Sequence, residues 1–239
     1  VDTLVLLGQN KELRRIVIRQ KACTAARANL GENFNVCQGD RVTLTPQGTG
    51  NYTWGDGSFG STFTFTANVV GPTTYQVKST VSGCTATSRV TVNVLPKPVV
   101  ALGDNRSVCA GTPLIISPQI TGGTAPYVYS WSSGANSRTI SVSVAGKYSL
   151  KVADGNGCTG IGEVSVNFKP LPIANAGLDQ SICAGQSAPL RASGGTSYRW
   201  SNNATSAETS VSPGTSTNFT VTVTQDGCDA TDEVRVTVK

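Results

Sequence analysis

The chain of 239 residues contains no histidine and no methionine. Histidine is the commonest general base in enzymes and a frequent zinc ligand, so its absence removes the most familiar routes to acid–base catalysis and zinc binding. Because methionine is missing and the chain begins at Val1, we expect a processed or excised fragment. The chain is rich in Ser, Thr, Gly and Val, and charged residues make up only 14% of it, a composition that is more typical of a secreted β-rich protein than of a cytosolic enzyme.

Other functional signatures are missing as well. No run of about 18 apolar residues is present, so the sequence predicts no membrane span. No Cys-x2-Cys pair occurs, although metal sites built from cysteine need closely spaced ligands of that kind. No Ser-x-x-Lys sequence supplies a base for a serine nucleophile. We therefore predict no catalytic residue, no metal site and no cofactor.

The positive charge is concentrated at the beginning of the chain. The net charge is +5, and residues 1–27 contain six basic residues against two acidic ones, which leaves the rest nearly neutral. Nucleic-acid binding usually needs a basic stripe with aromatic side chains between the charges, and this segment has no aromatic residue. We therefore expect no nucleic-acid partner.

A threefold repeat dominates what the sequence does contain. A Cys-x-Gly, a tryptophan and a Gly-Cys recur in that order, and the lead cysteines are 72 (109 − 37) and 74 (183 − 109) residues apart. A fixed period of this size indicates tandem copies of one small domain. The copies are Cys37-Gln38-Gly39, Trp54, Gly83-Cys84; Cys109-Ala110-Gly111, Trp131, Gly157-Cys158; and Cys183-Ala184-Gly185, Trp200, Gly227-Cys228.

Each copy also contains short runs of alternating polar and apolar residues separated by turn-forming residues. Six or seven such strands per copy predict an all-β chain of three tandem immunoglobulin-like antiparallel β-sandwiches. We place the repeats at residues 28–96, 97–171 and 172–239. The junctions Leu95-Pro96-Lys97-Pro98 and Lys169-Pro170-Leu171-Pro172 favour extended, stiff connections.

Residues 1–27 do not match the beginning of a repeat. The apolar runs Val1–Leu7 and Leu13–Lys21 flank Gly8-Gln9-Asn10-Lys11 and predict a hairpin that resembles the end of an upstream repeat. A helix over Lys11–Ala26 is the alternative, because apolar residues also recur there at helical spacing. An isolated hairpin is only marginally stable in water, so we expect this basic arm to pack on a missing domain or on a neighbouring molecule.

Two arrangements of disulfides fit the repeated spacing of the seven cysteines. We expect pairing within each repeat, because a bond that closes a loop of about 45–50 residues would stabilise a small domain by roughly 4 kcal/mol. The difficulty is that the turns carrying the two cysteines lie at opposite ends of a simple sandwich. The expected bonds are Cys37–Cys84, Cys109–Cys158 and Cys183–Cys228, with Cys23 unpaired or bonded to another molecule. The alternative is a ladder between repeats: Cys23–Cys84, Cys37–Cys158 and Cys109–Cys228, with Cys183 left over.

Aromatic and acidic residues provide the remaining candidates for sites. The three tryptophans, Trp54, Trp131 and Trp200, are expected in the cores, since a tryptophan on the third strand of a sandwich is usually buried. The acidic turns at Asp154 and Asp226 lack a complete calcium-binding loop, so ordinary turn chemistry explains them. Possible glycan-stacking residues are Tyr52, Tyr127, Tyr129 and Tyr198.

Several segments resemble the PKD-like and immunoglobulin-like repeats of large Bacteroidota surface proteins, which occur in gliding adhesins and in type IX secretion cargo. Ala174–Gln180 resembles the opening of a PKD-like unit, and Tyr52–Gly57 resembles a PKD core with its Gly-Asp-Gly. Gly123–Tyr127, continuing to Trp131–Ala135, resembles the adhesin repeat. The resemblance covers residues 28–239 and implies modules for adhesion, spacing or polysaccharide capture at the outer cell surface.

These observations together predict a non-enzymatic extracellular rod, in which disulfide-stapled repeats form a stalk and display scaffold. The expected partners are other domains of the same large protein, neighbouring subunits or surface polysaccharide. One alternative is a polysaccharide-binding accessory module of a secreted hydrolase. Another is a filament subunit that assembles by strand addition through residues 1–27.

Overall fold

The computed structural model describes residues 3–7, 13–17 and 25–239, and every helix or strand assigned within them is a β-strand. The predicted all-β fold is therefore confirmed. In the described part of the chain, no helix is long and apolar enough to cross a membrane.

The basic arm contains a β-hairpin. Its strands, β1 (Thr3–Leu7) and β2 (Leu13–Val17), pair antiparallel, with Thr3 opposite Val17 and Leu7 opposite Leu13. The hairpin prediction is confirmed for these strands, and the alternative helix over Lys11–Ala26 is wrong where the structure describes it. The residues that connect β1 to β2 lie outside the described residues.

The three repeats follow one order of strands, except that a single bridge between Asn175 and Ser193 replaces one short strand pair in the third. The first repeat contains β3 (Arg27–Asn29), β4 (Phe34–Cys37), β5 (Arg41–Leu44), β6 (Gln47–Thr49), β7 (Asn51–Trp54), β8 (Phe63–Thr66), β9 (Gly71–Val81) and β10 (Cys84–Leu95). The second contains β11 (Val99–Ala101), β12 (Arg106–Cys109), β13 (Leu114–Ile116), β14 (Gln119–Thr121), β15 (Val128–Trp131), β16 (Ile140–Val142), β17 (Gly146–Ala153) and β18 (Thr159–Lys169). The third contains β19 (Gln180–Ile182), β20 (Ala188–Arg191), β21 (Ser197–Trp200), β22 (Glu208–Val211), β23 (Thr217–Gln225) and β24 (Cys228–Val238).

Each repeat is an immunoglobulin-like sandwich with one four-stranded sheet. The strand orders of these sheets are β4-β10-β9-β7, β12-β18-β17-β15 and β19-β24-β23-β21. Within each sheet the first strand runs parallel to the last strand of the repeat, and the other pairs are antiparallel. The second layer of each sandwich contains a two-stranded sheet, namely β5-β8, β13-β16 or β20-β22.

Each sandwich has its own hydrophobic core, formed by side chains that alternate along the strands. In β18, for example, every second residue from Gly160 to Val166 is buried. This period of two follows from the pleat, which directs successive side chains to opposite faces of a sheet. Valine dominates all three cores, as β-branched residues pack well on pleated surfaces, and one tryptophan lies in each.

By spatial contact, the chain divides into two compact units. One comprises Val1–Lys97 with Gly122–Ala125 and Gly155–Cys158, and the other comprises Pro98–Thr121, Pro126–Asp154 and Thr159–Lys239. The last hairpin loop of the second repeat thus belongs to the first unit. The second unit contains the hydrophobic cores of the second and third repeats.

Candidate functional site: the disulfides between repeats

The lead cysteine of each repeat lies at the end from which the chain leaves that repeat. Cys37 ends β4 opposite Leu95, the last residue of β10, and Cys109 ends β12 opposite Lys169, the last residue of β18. This placement follows from the parallel pairing, because the C-terminal ends of two parallel strands lie at the same end of a sheet.

The second cysteine of each repeat lies at the other end of the same last strand. Cys84 and Cys228 are the first residues of β10 and β24, and Cys158 directly precedes β18. Each follows a tight turn in which the preceding glycine has a φ of 79–83°. In two of these turns the residue before the glycine, Ser82 or Asp226, also has a positive φ, as the type I′ hairpin turn requires.

This geometry excludes a disulfide within a repeat. In the first repeat, Cys37 is opposite Leu95, which is 11 residues (95 − 84) from Cys84 along β10. Eleven residues of extended strand span about 36 Å, whereas disulfides join Cα atoms that are about 4.4–6.8 Å apart. The expected pairing within repeats is therefore wrong, and the reason is that the two cysteines lie at opposite ends of one long strand.

The structure instead contains bonds from one repeat to the next. Cys37 is bonded to Cys158 and Cys109 to Cys228, and in each pair the Cα atoms are 5.5 Å apart. Both bonds belong to the ladder that was the alternative arrangement. Cys183, expected to be bonded to Cys228, is free and exposed.

The third bond of the ladder is only partly described. Cys84 is disulfide-bonded. The ladder assigns Cys23 as its partner, and Cys23 lies outside the described residues. The expectation that Cys23 is unpaired falls on the same undescribed segment.

The bond between the second and third repeats is supported by contacts within the second unit. The Lys169 ammonium donates a hydrogen bond of 2.8 Å to the carbonyl oxygen of Asp226. The Cys109 sulfur lies 3.6 Å from the carbonyl oxygen of Gly227, a packing contact, since a disulfide sulfur has no proton to donate. Cys228 is fully buried and Cys109 half-buried, so the bond is largely shielded from solvent.

The three tryptophans occupy equivalent places in the three cores. Trp54, Trp131 and Trp200 are all buried, and each is the last residue of an edge strand of its four-stranded sheet, β7, β15 or β21. Each indole N–H donates to a carbonyl six residues later, at 2.9–3.2 Å: Trp54 to Gly60, Trp131 to Ser137 and Trp200 to Ser206. The ring therefore fills the core and also holds the loop that follows its strand.

The candidate glycan-stacking tyrosines do not form one surface. All four are half-buried and pack against hydrophobic cores: Tyr52 in the first repeat, Tyr127 and Tyr129 in the second, and Tyr198 in the third. A better exposed ring is Phe59, which is 82% exposed and lines a shallow cavity with Tyr52. Sequence reasoning missed Phe59 because no repeated pattern marks it.

The acidic residues of the PKD-like segments bind backbone groups. Asp179 accepts a hydrogen bond of 2.8 Å from the Arg235 amide, and Asp56 accepts bonds from the Ser58 amide and hydroxyl at 2.9 and 2.7 Å. Within the described residues, no group of three or more acidic or cysteine side chains is placed to hold a metal ion. These two carboxylates thus stabilise loops in the structure.

The effect of the two Ser58 hydrogen bonds on the pKa of Asp56 can be tested. The Ser58 hydroxyl and amide lower the pKa of Asp56 from its ordinary value, so the folded state favours the carboxylate. The stabilisation is complete above the ordinary pKa of about 3.9 and is lost as pH falls through the lower folded pKa. NMR titration of Ser58→Ala should show the midpoint rising, whereas Ser61→Ala should leave it unchanged. An unchanged midpoint in Ser58→Ala would show that the hydroxyl has no such effect.

Comparison with known proteins assigns no family. No protein-family model matches the chain, and no curated protein matches it. A three-domain immunoglobulin fragment of titin is similar over 87% of this chain and 96% of the fragment, at 13% identity and a TM-score of 0.39. The eight N-terminal immunoglobulin domains of Down Syndrome Cell Adhesion Molecule are similar over 96% of this chain and 39% of that one, at 13% identity and a TM-score of 0.36. The PKD domain of human KIAA0319 is similar over 32% of this chain and 84% of that domain, at 19% identity and a TM-score of 0.28. At these values, the similarities assign no function.

Proposed function

We propose that this chain is a non-enzymatic segment of an extracellular stalk, in which linked sandwiches carry tension and display an adhesive element. The sequence resemblance to Bacteroidota adhesin repeats supports a bacterial surface protein of the gliding or type IX secretion kind. Disulfides persist in oxidising environments, which supports a location outside the cell. The predicted partners are further domains of the same protein or neighbouring subunits.

The observation that carries this proposal is that the two disulfides overlap along the chain. The Cys37–Cys158 bond encloses Cys109, and the Cys109–Cys228 bond encloses Cys158. Through these two bonds alone, the covalent route from Cys37 to Cys228 includes only 49 residues of backbone (158 − 109), whereas the unbridged backbone between them spans 191 (228 − 37). Tension is therefore carried through the sulfurs even when a sandwich opens.

This covalent route predicts the limit of extension under force. At about 3.5 Å per residue, these two bonds should make the oxidised chain at least roughly 500 Å shorter at full extension than the reduced chain, and the bond at Cys84 can only add to this difference. Single-molecule force spectroscopy on the full chain, tethered at both ends with and without dithiothreitol, measures that difference. A reduced chain with the same final length as the oxidised chain would contradict the proposal that the disulfides carry tension. The Cys183→Ala variant, which keeps both described disulfides, is the matched control.

Polysaccharide binding is a second candidate, supported by the exposed ring of Phe59. Phe59, Tyr52 and Ser61 line an open cavity of about 430 Å³, in which an aromatic face and polar groups lie together. If the chain has this function, Phe59→Ala should weaken its binding several-fold to any polysaccharide that the unmodified chain binds. Ile173→Ala, which removes another highly exposed apolar side chain, should leave binding unchanged. Equal losses in both variants would count against a site at Phe59.

Filament assembly is the third candidate and depends on the basic arm. Among the residues that the structure describes, β1 and β2 form a sheet of two strands, and such a sheet leaves edges to which another strand can add. Deleting residues 1–27 should then abolish polymers seen by electron microscopy. Polymers that persist after the deletion would rule out assembly through this arm.

A further inference from the structure

Cys183 occupies the same structural position as the two lead cysteines that form disulfides. Cys37 and Cys109 end the strand that runs parallel to the last strand of their repeat, opposite Leu95 and Lys169. In the third repeat, Ile182 is opposite Val238, so the next rung places Cys183 opposite Lys239. The Lys239 amide donates to the Ile182 carbonyl at 3.0 Å, so the two strands still pair at this point.

The occupied equivalents show what this position binds. Each of the two bonded lead cysteines forms a disulfide with the cysteine at the beginning of the last strand of the following repeat. Both lead cysteines are half-buried. Cys183, without such a partner, is exposed and free. We propose that Cys183 is the attachment thiol for a further repeat of the same kind, joined to the backbone after Lys239 as the third repeat is joined after Lys169.

The bond between the second and third repeats indicates which local structure the cysteine of this partner should have. It would present a cysteine directly after a tight turn with glycine at its last position, as Gly227 precedes Cys228. The Lys169 ammonium binds the Asp226 carbonyl, two residues before that cysteine. Lys239 is the counterpart of Lys169 in the register, so we expect it to bind the equivalent carbonyl of the further repeat.

Formation of the bond is an oxidation and needs an electron acceptor. The Cys183 thiol and the partner thiol lose two protons and two electrons to a low-molecular-weight disulfide such as oxidised glutathione. That disulfide is reduced to two thiols through a mixed-disulfide intermediate. The inference depends on the disulfides already present and not on the proposed mechanical or adhesive role.

The test extends the full chain after Lys239 with a second copy of residues 170–239. In the appended copy, serine replaces the counterpart of Cys183, so that the counterpart of Cys228 is its one cysteine. Serine also replaces the counterpart of Thr231, which gives the peptide containing the appended cysteine (the tagged peptide) a mass different from that of the original peptide. After folding with oxidised and reduced glutathione, iodoacetamide should label neither Cys183 nor the appended cysteine. Non-reducing peptide mapping should link Cys183 to the tagged peptide. In the extended Cys183→Ser variant, the appended cysteine should become fully labelled.

Two outcomes would overturn the proposal. One is that iodoacetamide labels both Cys183 and the appended cysteine in the folded extended chain. The other is a bond from the tagged peptide to any cysteine other than Cys183. If that extension fails to fold, residues 96–169 can be appended after Lys239 instead, with the counterpart of Cys109 replaced by serine. The expected bond then joins Cys183 to the counterpart of Cys158. The unextended chain should remain monomeric with Cys183 labelled. A disulfide between the Cys183 residues of two copies would instead assign the position to a second copy of this chain.

Discussion

Replacing both Cys109 and Cys228 by alanine should lower the free energy of unfolding by about 4–5 kcal/mol, the largest effect we expect from removing one interaction. The bond closes a loop with a sequence separation of 119 residues. In the chain-entropy model, a loop of roughly 100 residues restricts the unfolded chain by about 4.7 kcal/mol. Urea unfolding without reductant, followed by circular dichroism, measures the change. Replacing both cysteines avoids leaving one thiol to exchange with other disulfides.

Cys183→Ala is the matched control for this double variant. Cys183 is exposed and free, so its replacement should change the free energy of unfolding by no more than about 0.5 kcal/mol. A double variant as stable as this control would mean that the bond between the second and third repeats does not stabilise the folded chain.

Replacing Trp200 by alanine should cost about 3–5 kcal/mol, as is typical for deleting a large buried aromatic side chain. The ring is 1% exposed, and its N–H donates to the Ser206 carbonyl at 3.2 Å. Thermal and urea unfolding both measure the loss. Trp200→Phe should be less damaging, because it keeps most of the buried volume and loses the hydrogen bond.

Phe59→Ala is the control for the tryptophan series. It also removes an aromatic ring, but one that is 82% exposed, so the expected change is within about 0.5 kcal/mol. Equal losses for Trp200→Ala and Phe59→Ala would contradict the assignment of Trp200 as the centre of its core.

The sequence was sufficient to predict the features that depend on local patterns. Alternation along Tyr127–Trp131 corresponds to β15, and the turn at Asp154–Gly157 lies between β17 and β18. The hairpin in the arm was predictable for the same reason, because polar turn residues separate two apolar runs. Side-chain periodicity and turn chemistry act over a few residues, so one sequence is enough to interpret them.

The disulfide pairing could not be settled in this way, because it depends on long-range register. The deciding fact is that β4 runs parallel to β10, which places Cys37 beside Leu95 and a full strand length from Cys84. Nothing in the spacing of the cysteines distinguishes parallel from antiparallel pairing of these strands. The exposure of Phe59 was equally hidden, since it depends on how the loop after Trp54 folds over its sheet.

Non-reducing peptide mapping of the folded, alkylated chain tests most directly whether disulfides join successive repeats. We predict one linked peptide pair containing Cys37 and Cys158, another containing Cys109 and Cys228, and carbamidomethylated Cys183. Linked peptides containing Cys37 with Cys84, or Cys109 with Cys158, would contradict the account, because they would place the bonds within repeats.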